Sequence, residues 1–332
     1  MVSTVLVVTA LEDFTADKVI AALNEREVPV VRVDPADIGP ALTFGFRVGQ
    51  DSAVWGGRLR TASREVELGE VAAVYYRRPT PYAARFAHLP PQQRDFCVAE
   101  ARHGLGGVLN HLHGASYVNH PAAVTRADFK PAQLDRFAEL GLSIPPTLIT
   151  NDVEQVRQFA AEYEHLIYKP FRGLPVGEDG HAGAIWAQRV DPASFDDALS
   201  VTAHLFQAEI PKTGDVRVTV VGQKVFAQQI AAPDGALDWR RSNWDELIHA
   251  PITVPAPIQA ALHRYLSSFG LVFGCFDFAL TGAGDTPGHW TAIECNPNGQ
   301  WGWLPDAPAI TEAFADILSR KEAADHDDAR RL

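Results

Sequence analysis

The chain has 332 residues, 46% of them hydrophobic, which is enough for two or three domains with buried cores. A net charge of −12 with no basic run argues against a nucleic-acid partner, and no stretch of about 18 apolar residues is present to cross a membrane. The cysteines, Cys97, Cys275 and Cys295, are odd in number and far apart, which fits neither a disulfide framework nor a zinc site and points to a reducing cytoplasm.

Residues 1–10 are apolar but lack a basic flank and a small-residue cleavage site, so a first strand over 5–10 is expected rather than a signal peptide. Helical spacing follows over 15–27, with Val19, Ile20 and Leu23 on one side, and a second strand covers 28–33. This order predicts a parallel βαβ unit. No glycine-rich phosphate fingerprint follows the first strand, so the unit is not read as a dinucleotide site. Short strands are predicted over 42–48 and 53–59. Another over 71–76 runs into Arg77-Arg78-Pro79, a long helix covers 92–109, and a short strand covers 117–119.

A second region opens with an amphipathic helix over 131–140, carrying Leu134, Phe137 and Leu140 on one face and stopped by Gly141. An extended segment over 144–149 precedes a helix over 152–164 capped by Asn151 or Asp152. A strand over 166–169 leads into the glycine-rich stretch 173–183, and 184–189 is read as the strand that closes this hairpin. The third region is rich in strands. After 205–210, a hairpin is predicted from 216–221 and 224–230 about Gly222-Gln223, with Gly222 suited to the first central position of a type II′ turn. A helix over 256–269, strands over 272–280 and 289–296 and a helix over 309–318 complete the chain; the charged end from Arg320 is expected to be disordered.

The strongest chemical signal sits on the last two strands. Alternation puts Glu294 and Asn296 on one face and Cys295 on the other, while Asp277 lies between Phe276 and Phe278, which must face the opposite side. Folding the hairpin about Asp285 brings Asp277 roughly opposite Ile293 and Glu294. Three oxygen-bearing side chains then converge, a set suited to Mg2+, which takes one or two carboxylates plus substrate phosphates. A solvated polar face is the bland alternative, disfavoured because buried carboxylates need partners.

Lysines are scarce, 6 against 23 arginines, so Lys130 and Lys169 are read as places where a compact ammonium is required. Lys169 ends an apolar strand beside the glycine-rich loop, a position suited to phosphate. In Asp215-Val216-Arg217 both charged residues share a face. Arg217 can fork onto a phosphoryl or carboxylate group with Asp215 orienting it, or the two can form a simple surface ion pair. Asp238-Trp239-Arg240-Arg241 is weak alone.

Taken in order along nearly the whole chain, these segments resemble the ATP-grasp superfamily, and more narrowly the ATP-grasp ribosomal peptide maturases, or graspetide synthetases. The matching segments are Thr9 with Asp13 and Thr15, Tyr76-Arg77-Arg78-Pro79, Lys130 with Gln133-Leu134, Tyr168-Lys169-Pro170, Gln207-Ala208-Glu209-Ile210, Asp215–Arg217, Asp238-Trp239-Arg240, Asp277-Phe278 and Asn296-Pro297-Asn298-Gly299-Gln300-Trp301. The last is the most specific.

The resemblance implies an α/β chain with the ATP-grasp fold. An N-terminal open α/β (pre-ATP-grasp) domain over 1–120 would be followed by two α+β domains that clasp ATP, over 121–204 and 205–320, and then by a tail over 321–332. It implies ATP and Mg2+ as cofactors. Lys130 and Lys169 would lie on the phosphates, Gln207, Ala208, Glu209 and Ile210 would form the adenine hinge, and Asp277, Glu294 and Asn296 would hold the metal. Arg217 and Arg240 would face phosphate and substrate carboxylate, with Asp215 the nearest candidate for a general base. The implied partner is a ribosomal precursor peptide, leader plus core, in which side-chain ester or amide crosslinks form through an acyl phosphate; a homodimer is compatible with this. Ligation of free amino acids or of a protein C-terminus, and a non-catalytic ATP-binding scaffold, are the alternatives.

Overall fold

The computed structural model describes residues 4–49, 52–172, 185–233 and 235–320. The glycine-rich stretch 173–183 and the tail from 321, expected to be disordered, both lie outside the described residues.

The N-terminal strands form a parallel sheet in the order Val30–Val33, Thr4–Val8, Val71–Tyr76, Ser116–Val118. Thr4–Val8 is buried along its whole length, as its unbroken apolar run requires of a central parallel strand. The helix Phe14–Glu25 begins at Asp13, whose carboxylate accepts the Ala16 N–H at 3.2 Å. A three-stranded antiparallel sheet, Leu42–Gly49, Ser52–Thr61 and Glu65–Glu67, packs against this unit. The single long helix expected over 92–109 is two, Pro91–His103 and Leu105–Leu109. The break falls at Gly104, where a Cβ would stand 2.9 Å from the Glu100 carbonyl oxygen, so only glycine fits the bend.

Two antiparallel sheets follow. The smaller runs Gln188–Val190, Leu166–Lys169, His204–Ala208, Thr147–Thr150. Behind it lies the helix Val153–Ala160, shorter than expected and capped by Asp152, which accepts the Glu154 N–H at 2.8 Å. The larger runs Ile248–Pro251, Lys224–Ala231, Gly214–Val221, Phe273–Leu280, Trp290–Asn296. Its central hairpin turns at Gly222 with φ of +58°, the sign that the predicted turn demands. Val216, Val218, Val220, Phe276 and Phe278 share one face and are buried under the helix Ala256–Phe269. The opposite face therefore carries Arg217 and Asp277.

The last helix, Ala307–Leu318, returns to the N-terminal unit and shares one core with Tyr75, Phe273 and Trp301; the Trp301 and Phe314 rings stack at 5.1 Å. Its return carries the loop after Asn296 under the parallel sheet, where a buried polar network meets it. Thr9 Oγ1 donates to Asp13 at 2.7 Å, Arg77 Nε donates to the same carboxylate at 2.7 Å, and Arg77 Nη2 donates to the Gln300 side-chain oxygen, which also accepts from Thr15 at 3.0 Å. Arg77 is 2% exposed and Asp13 6%. Truncating Arg77 to alanine strands the Asp13 carboxylate, so Arg77→Ala is expected to lower unfolding stability by about 3–5 kcal/mol in a urea titration. A midpoint equal to wild type would contradict the pairing. No helix among the described residues is long and apolar enough to cross a membrane.

Candidate active site

The sheet register assembles the polar face. Asp277 stands directly opposite Arg217 on one side and Glu294 on the other, with a bulge between Asp277 and Phe278. Arg217 donates Nη1 to both Asp277 oxygens at 2.8 and 2.9 Å and Nη2 to the Gln300 carbonyl at 3.1 Å. Glu294 accepts from Lys130 Nζ at 2.6 Å and from Arg240 Nη1 at 3.3 Å. Arg240 is itself held bidentately by Asp238, at 2.8 and 3.0 Å. Asn296 spans the two site carboxylates, its amide donating to Asp277 at 3.4 Å and to Glu294 at 3.3 Å.

The two carboxylates titrate in opposite directions. Burial raises the pKa of Asp277 by more than Arg217 offsets, and the negative Glu294 adds to the rise. Burial acts the same way on Glu294, but Lys130 and Arg240 outweigh it and hold this carboxylate well below its ordinary range.

Lys169 sits beside this cluster with no hydrogen bond or ion pair of its own among the described residues. Burial, with Lys130 and Arg240 near it, pushes its pKa down to about 8 although Glu294 and Asp238 oppose the shift. Across the cleft, Gln207 is 2% exposed; its amide donates to Thr147 Oγ1 at 2.9 Å and its Oε1 has no partner. The Ala208 N–H is taken by the Pro146 carbonyl and the Glu209 N–H by the His165 carbonyl, whereas the Ile210 N–H has no partner among the described residues. Ile167, Ile293 and Trp239 supply apolar walls between the two sheets.

The structure thus brings Lys130, Lys169, Arg240, Asp277, Glu294 and Asn296 to one end of a cleft whose wall includes Gln207, Ala208 and Ile210, while Arg217, expected to face phosphate or substrate, is buried behind Asp277 and does not line it. The Glu209 side chain turns aside and pairs with Arg189 at 2.5 Å. Asp215 lines the cleft but does not orient Arg217. Both its oxygens accept from Lys212, at 2.8 and 2.6 Å. The reason is spacing: a residue two along the same strand is about 7 Å away, whereas the cross-strand partner is about 5 Å away, so Arg217 pairs with Asp277. Sequence reasoning missed Lys212, although the scarcity of lysine pointed to it as much as to Lys130. It also missed the role of Asp238 in holding Arg240, and that of the Gln300 carbonyl, which leaves no sequence signal.

Two antiparallel sheets closing over a lysine without a partner among the described residues and two ion-paired carboxylates, behind a parallel α/β unit, form an ATP-grasp fold with a pre-ATP-grasp domain. Residues 4–125 match the family model described as MvdD pre-ATP grasp domain. The structure is similar to macrocyclase MdnC of Microcystis aeruginosa MRC, solved bound with precursor peptide MdnA: 27% identity, TM-score 0.82, covering 95% of this chain and 99% of that one. It also shares its fold with a RiPP-associated ATP-grasp ligase of Chryseobacterium gregarium, solved with ADP and a leader and core peptide, at 23% identity and TM-score 0.85 over 95% of this chain and 96% of that one. A glutathione synthetase of Rhodopseudomonas palustris is 33% identical over 180 residues, 50% of this chain and 53% of that protein; the match spans about half the length of that curated relative. The chain thus carries a pre-ATP-grasp domain over residues 4–125 and shares the ATP-grasp fold with these ligases over nearly its whole length.

The residues fit the nucleotide and metal that this fold employs. Among the described residues no group of three or more His, Cys, Asp or Glu side chains is placed to hold a metal alone. Two carboxylates and an amide nonetheless carry the hard oxygen donors that Mg2+ takes when phosphate oxygens complete its shell, so the residues present fit such an ion. The orphaned Gln207 oxygen, and the Lys169 ammonium without a partner among the described residues, both line this cleft and are groups that a nucleotide would satisfy.

Lys169→Ala is expected to weaken binding of a non-hydrolysable ATP analogue by roughly ten- to a hundredfold, the value of one charged hydrogen bond. Because the free ammonium loses its proton near pH 8 and only the charged form attracts phosphate, wild-type affinity should fall as pH rises from 7 to 9, and the variant's should not. Calorimetry gives both; an unchanged dissociation constant in the variant would remove Lys169 from the nucleotide site.

Proposed function

We propose that the protein is an ADP-forming ligase that joins an acidic side chain of a ribosomally made peptide to a nucleophilic side chain of the same peptide. The observation that carries this reading is the meeting of Asp277, Glu294 and Asn296 with Lys130, Lys169 and Arg240 at one end of the cleft, with Arg217 bracing Asp277 from behind.

In the reaction, the γ-phosphoryl group of ATP passes to a peptide carboxylate, giving ADP and an acyl phosphate. A Ser or Thr hydroxyl or a Lys amine then attacks the acyl carbon, phosphate leaves, and the nucleophile gives up its proton. Magnesium, when bound, would neutralise charge between the phosphates, and Asp277, Glu294 and Asn296 are the residues that would hold it. Lys130 and Lys169 would lie on the phosphate oxygens. Ile210 and its neighbours would receive the adenine through main-chain groups. The protein's task is positioning and charge neutralisation rather than covalent catalysis.

The MdnC likeness, over nearly the full length of both chains, supports a peptide substrate. The likeness to a glutathione synthetase favours a second reading, ligation of free amino acids or short peptides. ADP release tested separately with acidic peptides and with free amino acids decides between them: turnover with amino acids alone would overturn the peptide reading, and no release with either would overturn both.

A further inference from the structure

We propose that Arg78 binds the acidic side chain that is to be activated, so that the N-terminal domain supplies the grip on the substrate carboxylate; this rests on the carboxylate-ligase reading above. The other arginines of the site are already committed to the protein. Arg217 has Nη1 on both oxygens of Asp277 and Nη2 on the Gln300 carbonyl. Arg240 has Nε and Nη2 on Asp238 and Nη1 on Glu294.

Arg78 differs. It is exposed, its Nε donates to the Asn298 carbonyl at 3.3 Å, and it forms no ion pair among the described residues. Its Nη1 and Nη2 have no hydrogen-bond partner among the described residues. Two parallel N–H groups on the open edge of a guanidinium match the two oxygens of a carboxylate, which a lysine at this position could not do.

The backbone fixes where this edge stands. The Arg78 carbonyl accepts the Ala10 N–H at 2.9 Å, the Arg77 carbonyl accepts the Asn298 side-chain amide at 3.1 Å, and Pro79 follows. Asn298 lies two residues beyond Asn296. The Arg78 and Arg217 guanidiniums consequently rest on carbonyls of one short loop, Asn298 and Gln300, which are within about 7 Å along the chain. Arg78 is thus held on the loop that follows Asn296, among like charges. Although its tip reaches solvent, its stem is partly desolvated, and this with Arg77 and Arg217 presses its pKa down against the pull of Asp13, an arrangement that an arriving anion relieves. An acidic side chain on Arg78 would lie beside the cluster that holds the phosphates, where its oxygen must stand to accept a phosphoryl group.

The test is hydroxamate formation by the full-length protein with ATP, Mg2+ and hydroxylamine, with the blocked peptides acetyl-Gly-Glu-Gly-amide and acetyl-Gly-Asp-Gly-amide as carboxylate probes. Hydroxylamine intercepts the acyl phosphate, so no particular nucleophile is needed. Arg78→Ala should raise the KM for the probe by about ten- to a hundredfold and change kcat much less, because the grip acts on the bound ground state as well as later. Arg78→Lys should recover only part of the loss. Affinity for the ATP analogue should be the same in all three proteins. A wild-type KM in Arg78→Ala overturns the proposal, as does a parallel loss of ATP affinity, which would mark Arg78 as structural. A wild-type protein that binds the analogue yet forms no hydroxamate from either probe overturns the carboxylate-ligase reading itself, and the role of Arg78 with it.

Discussion

Glu294→Gln and Asp277→Asn are each expected to abolish peptide-dependent ATP turnover while leaving the fold intact. Each substitution keeps size and shape and removes one negative charge from a site whose carboxylates hold opposite positions in the charge balance. Glu294 is the more consequential. It is held ionised by Lys130 at 2.6 Å and Arg240 at 3.3 Å, and its loss leaves both cations without that counter-charge. An amide in its place can accept from only one of them well, and it offers a metal a weaker oxygen. Asp277 carries Arg217 on both oxygens, so its amide cannot keep the fork and turns an N–H toward a guanidinium. A turnover loss on the order of 10²–10³ is expected for either, the scale found when one preorganised electrostatic group is removed from an active site. ADP production measured across a magnesium titration reads this directly. Near-normal rates in both variants at limiting magnesium would remove these residues from the metal site.

Arg217→Lys is expected to fail although the charge is kept. The guanidinium makes three short contacts in fixed directions, two to Asp277 and one to the Gln300 carbonyl, from a position 6% exposed. A lysine ammonium is a point donor on a flexible stem. It can satisfy Asp277 or the carbonyl, and it leaves the other as a buried acceptor without a donor. The consequence is in the aim of Asp277, which Arg217 holds squarely between itself and Glu294. Losing one charge-assisted bidentate contact costs on the order of 1.5–3 kcal/mol, a fall in turnover of roughly ten- to a hundredfold or more. Affinity for the ATP analogue should change less, since the cleft walls and Lys169 are untouched. A lysine variant with the wild-type rate would show that Asp277 needs no fork, and that the centre of the site is placed wrongly.

Much of this site was legible because its elements are local. The strand Val71–Tyr76 and the helix Ala256–Phe269 fall where their apolar patterns put them. The hairpin of the last two strands announces its own register, so Asp277, Glu294 and Asn296 could be placed on one face before the fold was known; the bulge at Phe278 then selects Glu294 over Ile293 as the opposite residue. What stayed hidden depends on strands far apart in the chain. Arg217 meets Asp277 across sixty residues, and nothing in Asp215-Val216-Arg217 shows that Asp215 is taken by Lys212. Thr9, Asp13 and Arg77 read as separate segments, and they meet Gln300 only because the last helix packs back on the first. The proposed adenine wall would use main-chain groups, which every residue carries, and what marks it is the Ile210 N–H, without a partner among the described residues.

The central claim, that this cleft activates a peptide carboxylate with ATP and closes a crosslink, is tested most directly by mass spectrometry of acid-rich candidate peptides co-expressed with the protein. A short open reading frame rich in Thr, Ser, Asp and Glu beside the gene is the first candidate. The account predicts a product lighter by one water for each crosslink, formed with the wild-type protein and absent with Glu294→Gln. Peptides recovered at their unmodified mass with wild-type protein that binds and hydrolyses ATP, or a loss of water that persists in Glu294→Gln, would contradict it.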